Sequence, residues 1–290
     1  MAELSTAPPV CLPPRPLDRP PRTQLPAGTC DCHFHVFREG LPLAEERSYT
    51  PTMATLADWR ALAAAVGIAR GVVVQPSVCG TDNRALIEAL AAHPDTLRGV
   101  AVIPPDTAAA EVARLHRLGV RAVRINVPAR AGLALDTVPD LARLVRPFGW
   151  HLQFLVRPDR IATVADIAVR QAIPVVIDHL ALIHPGDAAS DAAVTELQRL
   201  LDTGTAHVKV SAPYRLARAP GYPGLARLVE RLVRSHPERL LWGTDWPHTD
   251  LYDSVPDDAD LVDTALDWFS DAGLRERVLV ANPQALYWAA

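Results

Sequence analysis

Three histidines and one carboxylate, far apart along the chain, are the residues of this sequence best suited to do chemistry. His33 and His35 stand two apart in Asp31-Cys-His-Phe-His-Val-Phe37, and His179 ends the apolar run Val175-Val-Ile-Asp-His179. Near the other end, Leu240-Leu-Trp-Gly-Thr-Asp-Trp-Pro-His248 closes a further run on Asp245, with His248 three residues beyond. Alternation along a strand puts His33 and His35 on one face. The same alternation adds Asp31 to that face, and turns Cys30, Cys32 and Phe34 the other way, against helices. Imidazoles with a distant carboxylate are the ligand types of a catalytic zinc site. They are equally the groups of a metal-free acyl-transfer site in which a carboxylate activates water. The remaining histidines, His93, His116, His151, His184, His207 and His236, read as structural.

Arginines add a second theme. Arg124 lies inside the apolar run Val123-Arg-Ile-Asn-Val127, where an unpaired guanidinium is costly, while Arg130 and Arg215 follow such runs in loops. A guanidinium grips a carboxylate through two parallel hydrogen bonds, so converging arginines point to an anionic substrate. Gln75, Ser77 and Gln153 also fall in or just after apolar runs.

These residues need a scaffold that gathers strand ends. Eight apolar, β-branched runs recur: 28–37, 71–75, 99–103, 121–127, 150–156, 173–179, 207–211 and 240–244. Segments of helical periodicity such as 56–66, 83–93, 107–118 and 223–235 lie between them. Alternating strand and helix predicts a parallel sheet, and eight units in roughly 250 residues predict an α/β fold of the (β/α)8 TIM-barrel type. No GxGxxG follows the first run, which argues against a dinucleotide-binding open sheet. In such a barrel the chemistry collects at the carboxyl ends of the strands. We expect a single barrel domain over residues 29–290, preceded by a proline-rich arm, residues 1–28, that carries eight prolines.

Composition narrows the function. A hydrophobic share of 49% supports a large core, and a net charge of -4 without any basic run predicts no nucleic-acid partner and no membrane surface. Four cysteines, Cys11, Cys30, Cys32 and Cys79, form neither a zinc motif nor a disulfide framework, and no signal-peptide core is present. The expectation is a cytoplasmic enzyme acting on a small soluble anion. Oligomeric state is left open, a homo-oligomer included. Lys209 is the only lysine and falls in the seventh run, so no lysine near the fourth or fifth is available to bridge two metals.

Several longer motifs occur in one order: Asp31 to Phe37, Tyr49-Thr-Pro51, Gly80-Thr-Asp-Asn83, Arg124 with Arg130, Ile177-Asp-His179, Arg215, Trp242 to His248, Val255-Pro-Asp-Asp258 and Asn282 to Trp288. In these the chain resembles the amidohydrolase-related barrel hydrolases, and within them the 2-pyrone-4,6-dicarboxylate lactonases of aromatic catabolism. The resemblance implies a hydrolase that opens a carboxylated lactone or cyclic ester, with Asp245 as general base and His33, His35 and His179 polarising the carbonyl. It implies that Arg124, Arg130, Arg215, Tyr49 and Ser77 hold the substrate, with Gln153 and His248 as further candidates. No cofactor is favoured; a single zinc, if bound, would take His33, His35, His179 and Asp245. Two departures from the lactonase pattern stand out. Leu155 replaces a substrate-contacting tyrosine and Asp250 replaces an asparagine, which weakens the case for that particular substrate. Alternatives on the same pocket are a sugar-acid lactone isomerase, a mononuclear zinc hydrolase or decarboxylase, and a non-catalytic carboxylate-binding paralogue.

Overall fold

Each of the eight apolar runs forms a parallel strand, and each strand is followed by a helix. The computed structural model describes residues 7–187, 189–218 and 220–289. The strands are β1 (Cys30–Phe34), β2 (Arg70–Val74), β3 (Leu97–Ala101), β4 (Val120–Asn126), β5 (His151–Leu155), β6 (Val175–Ile177), β7 (Ala206–Ser211) and β8 (Leu240–Gly243), hydrogen-bonded in sequence order. The outer layer is α1 (Leu56–Val66), α2 (Arg84–Ala92), α3 (Ala109–Arg117), α4 (Val138–Val145), α5 (Ile161–Gln171), α6 (Ser190–Asp202), α7 (Pro223–Ser235) and α8 (Asp258–Trp268). Parallel strands covered on both faces are continuous hydrophobic runs, which is why they were readable. Helix boundaries follow local chemistry. At α1, Thr55 and Asp58 form a reciprocal capping box, and Gly67 ends the helix with φ 90°.

The sheet closes on itself between β1 and the segment after β8. The Asp245 N–H donates to His33 O at 2.8 Å and the His35 N–H donates to Trp246 O at 2.8 Å. Gly243 permits this approach, since a Cβ there would lie 2.7 Å from His33 N and 2.8 Å from His33 Cβ. Asp31 ties the seam: its carboxylate accepts from the His33 and Thr244 N–H groups, the Thr244 hydroxyl and the Trp59 indole at 2.7–3.0 Å. Burial pushes the Asp31 carboxyl up to about 6 in spite of these four donors.

The faces of β1 differ from strict alternation. Asp31 pairs with Gly71 and Phe34 with Val73, so β1 spends three residues where β2 spends two. This bulge shifts the parity partway along the strand. Asp31 and Phe34 therefore face the helix layer, where Phe34 stacks on Trp59 at 3.8 Å. Cys30 and Cys32 instead lie inside the barrel with Val72, Val74, Val100, Ala122, Val176 and Leu241. Tyr287, fully buried, packs into that inner cluster from the segment 284–288 and seals the amino-terminal end of the barrel.

The arm lies against the loops of the opposite, carboxyl-terminal end. Cys11 N–H donates to Thr50 O at 2.9 Å, Thr50 N–H to Pro9 O at 2.7 Å, and Leu12 N–H to Leu251 O at 2.9 Å. Arg19 and Arg22 pair with Asp263 on α8. No helix among the described residues is long and apolar enough to cross a membrane.

Candidate active site

At the carboxyl ends of the strands a cavity of about 300 Å³ opens above Asp245, His35 and His179. Asp245 follows β8 with φ 62° and is fully buried. Its two oxygens have different company. Oδ2 accepts from the Tyr214 hydroxyl at 2.6 Å and from Arg215 Nε at 2.9 Å. Oδ1 has no hydrogen-bond partner among the described residues, yet lies 3.6 Å from His33 Nε2, 3.7 Å from His35 Nε2 and 3.6 Å from His179 Nε2. Burial opposes ionisation of Asp245, but Arg215, foremost among the surrounding charges, outweighs it and holds the carboxyl well below the usual carboxylate range.

The three imidazoles are kept neutral by burial, which lowers His35 to about 3, His179 to about 4 and His33 well below its ordinary value. Their partners then set which nitrogen carries the proton. His35 Nδ1 donates to Val74 O at 2.7 Å, so its Nε2 is an acceptor aimed at another acceptor, Asp245 Oδ1. The expectation that all three imidazoles donate to a carbonyl oxygen therefore changes at His35. His179 Nδ1 meets Ser211 Oγ at 2.8 Å. His179 opens a run of four residues with positive φ, 49° to 54°, through Leu182. Left-handed backbone in L-residues costs roughly 1–2 kcal/mol each, and such strain concentrates at functional sites.

Below the cavity lies a charged layer whose importance the sequence reading missed. Lys209, fully buried, donates to Gln153 Oε1 at 2.8 Å and to His33 Nδ1 at 3.2 Å, and pairs with Asp178 at 3.2 Å. His33 Nδ1 therefore sits between the Lys209 ammonium and Asp178 Oδ1, each at 3.2 Å, and its Nε2 is turned toward Asp245. Gln153 is spent between Lys209 and Asp178 and does not reach the cavity. Its inward position on β5 was legible; its partners, Asp178 just after β6 and Lys209 on β7, were not.

Other expected residues divide clearly. Tyr49, Ser77, Arg124 and Arg215 line the cavity, together with Asn126, Leu155, Thr249 and Asp250. Arg124 is buried, donates to Gln75 O at 3.1 Å, and has Nε 3.6 Å from Asp178. Arg215 is committed to Asp245 and to Thr249 O. Arg130 is exposed beyond Pro128 and Ala129, which line the cavity in its place, because the Ala129 N–H turns back to Asn126 O. Arg157, after β5, supplies a lining guanidinium that no motif flagged. His248 is fully buried behind Tyr214 and is not a lining residue.

Asp245 Oδ1 and the three Nε2 atoms are the donor types that one zinc takes. The groups His33, His35, Asp245 and His33, Asp178, His179 are each close enough to hold a cation. The surrounding charge opposes one, because the buried layer already sets Lys209, Arg124 and Arg215 against only Asp178 and Asp245.

Known proteins resemble this chain in sequence and in fold. The chain is 35% identical over 283 residues to a 2-pyrone-4,6-dicarboxylate hydrolase of Comamonas testosteroni, covering 92% of each. It is 31% identical to a 4-sulfomuconolactone hydrolase of Hydrogenophaga intermedia, covering 96% of this chain and 95% of that one. A crystal structure from Pseudomonas putida, provisionally described as a 2-pyrone-4,6-dicarboxylic acid hydrolase, superposes with a TM-score of 0.81 at 33% identity, covering 91% of this chain and 98% of the other. The family model described as amidohydrolase matches residues 30–288, the barrel and both ends of its seam, and the chain belongs to that family of enzymes.

Proposed function

We propose that this enzyme hydrolyses the ester bond of a small carboxylated lactone, with Asp245 as the general base. The observation that carries the reading is the division of labour within Asp245. One oxygen is anchored by Tyr214 and Arg215, and the other is buried at the cavity floor with no hydrogen-bond partner among the described residues.

A water seated there donates one hydrogen to Asp245 Oδ1 and the other to His35 Nε2, which leaves its oxygen lone pair free for the lactone carbonyl. Asp245 takes the proton as the C–O bond forms. Ser211 donates to His179 Nδ1, so His179 Nε2–H faces the developing oxyanion, and Arg124 adds positive charge from below. A donor placed in advance for that charge is commonly worth about 3 to 4 kcal/mol. Collapse of the tetrahedral adduct breaks the ring C–O bond, and the proton held by Asp245 passes to the leaving oxygen. Arg124 and Arg157, with Tyr49 and Ser77, hold the carboxylates and ring oxygens. The Comamonas and Hydrogenophaga relatives are named for lactones bearing acidic groups, which suits a cavity lined by three arginines. A divalent ion, when bound, would be held by His33, His35, His179 and Asp245 and would supply Lewis acidity.

Asp245→Asn keeps the size of the side chain and removes the base. Ring opening, followed across a panel of carboxylated lactones that includes 2-pyrone-4,6-dicarboxylate, is expected to fall at least about a thousandfold while the melting temperature stays near wild type. A variant with near wild-type turnover would remove Asp245 from the reaction.

A further inference from the structure

Behind Asp245 the Tyr214 anchor continues into two buried side chains, His248 and Asp258, for which the hydrolytic scheme has no use. The Tyr214 hydroxyl donates to Asp245 Oδ2 at 2.6 Å. His248 Nδ1 lies 3.2 Å from the same hydroxyl, with the two rings edge to face at 5.3 Å. His248 Nε2 lies 3.1 Å from Asp258 Oδ1, on the first residue of α8. Asp245, His248 and Asp258 are 0–1% exposed, so water cannot stand in for any of these bonds.

Donor counting gives the line a direction. The single Tyr214 proton goes to Asp245, so the phenolic oxygen can only accept, and His248 must present Nδ1–H to it. His248 Nε2 in turn faces Asp258 Oδ1, which ends the line. Burial, and then the Asp245 charge, pushes the Tyr214 hydroxyl well above its ordinary value, which keeps it a donor.

The backbone is fitted to this line. Asp245 and His248 have φ 62° and 64°, and the His248 N–H closes the turn onto Asp245 O at 2.8 Å. Positive φ at two L-residues persists where surrounding bonds over-determine it. A turn needed only for packing would be served by apolar side chains, without two carboxylates and an imidazole taken out of water.

We infer that Tyr214, His248 and Asp258 form a positioning relay that fixes the Asp245 carboxylate in rotation, so that Oδ1 alone is presented to the reacting water. The inference rests on the assignment of Asp245 as the base. Its residues act through Asp245 and touch no substrate.

Tyr214→Phe removes one oxygen and keeps the ring. With 2-pyrone-4,6-dicarboxylate as the probe, kcat is expected to fall about thirtyfold with KM within about twofold, the pattern of a lost transition-state contribution. Asp258→Asn is expected to lose about tenfold in kcat, and Asp258→Glu to recover part of it. The Tyr214→Phe/Asp258→Asn double variant is expected to be no slower than Tyr214→Phe, because the line is already cut. Multiplying losses, or a Tyr214→Phe enzyme that keeps more than half of kcat, would overturn the relay. A crystal structure of Tyr214→Phe gives a readout that needs no substrate: the Asp245 carboxylate is expected to rotate away from its wild-type plane. An unmoved carboxylate would overturn the relay even if wild type opened no lactone, whereas absent wild-type turnover with a rotated carboxylate would count against the hydrolytic reading alone.

Discussion

His35 Nε2 and Asp245 Oδ1 face each other across 3.7 Å as two acceptors, because the only ring proton of His35 is given to Val74 O. A seat bounded by acceptors takes whatever is positive on that side, the hydrogens of a water molecule or a cation. The proposed scheme places water there. Turnover is accordingly expected to survive dialysis against a strong chelator within about twofold, with no gain on adding zinc. Loss of activity restored by zinc would give the seat to the ion.

Asp250 lines the same cavity as three arginines and brings a negative charge to its mouth. A carboxylate close to a dianionic substrate repels it, through a field that salt screens over about 10 Å at 0.1 M. Asp250→Asn is expected to lower KM for a dicarboxylated lactone about threefold at low ionic strength, with kcat unchanged. Steady-state kinetics at two salt concentrations check this, and the benefit is expected to shrink at the higher one.

His207 predicts how stability responds to acid. Burial lowers it from 6.5 to about 4. The unfolded chain therefore binds its proton as pH falls through 6.5, while the folded chain resists until about 4. This residue's contribution is complete above 6.5 and declines by about 1.4 kcal/mol per pH unit across that window. Urea unfolding at several values of pH is expected to show a shallower acid decline in His207→Gln, by about one proton's worth of slope. An unchanged slope would mean that the ring is already charged in the fold.

The arm bonds to Thr50 on one loop and Leu251 on another, next to Tyr49 and Asp250 of the cavity lining. Asp250 N–H also donates to Cys11 Sγ at 3.1 Å. Removing the chain up to Arg22 releases both loops at their rim contacts while leaving the strand ends in place. KM is expected to rise about fivefold, with kcat within about twofold. Equal losses in both constants would show that the arm also supports the barrel itself.

The barrel was legible because buried parallel strands are written as dense runs of Val, Ile and Leu. The convergence of His33, His35 and His179 on Asp245 was legible because strand ends in such a barrel share one rim. What escaped was everything decided between strands. The bulge at 31–34 cannot be seen in a pattern that assumes alternation, so Asp31 and the two cysteines were turned the wrong way. Lys209 looked irrelevant on β7, but side chains from β1, β5, β7 and the residue after β6 meet inside the barrel and give it His33, Gln153 and Asp178 as neighbours. Tyr214 carries no signal beyond its place beside Arg215, and His248 was drawn to the cavity by sequence proximity to Asp245 when its ring points behind it.

The seam has a consequence for how the molecule comes to exist. Asp31 and Thr244, which tie it, are 213 positions apart, so the contacts that close the barrel are among the most distant the chain can make. Long-range pairing of this kind slows folding, because the entropy of closing the loop is lost before the contact rewards it. Until β8 arrives, β1 is an unpaired edge, and the growing polypeptide carries His33 and His35 without their carboxylate. Assembly of the site and completion of the fold are then one event, and a chain that ends before β8 has an adhesive edge and no Asp245 to complete the site.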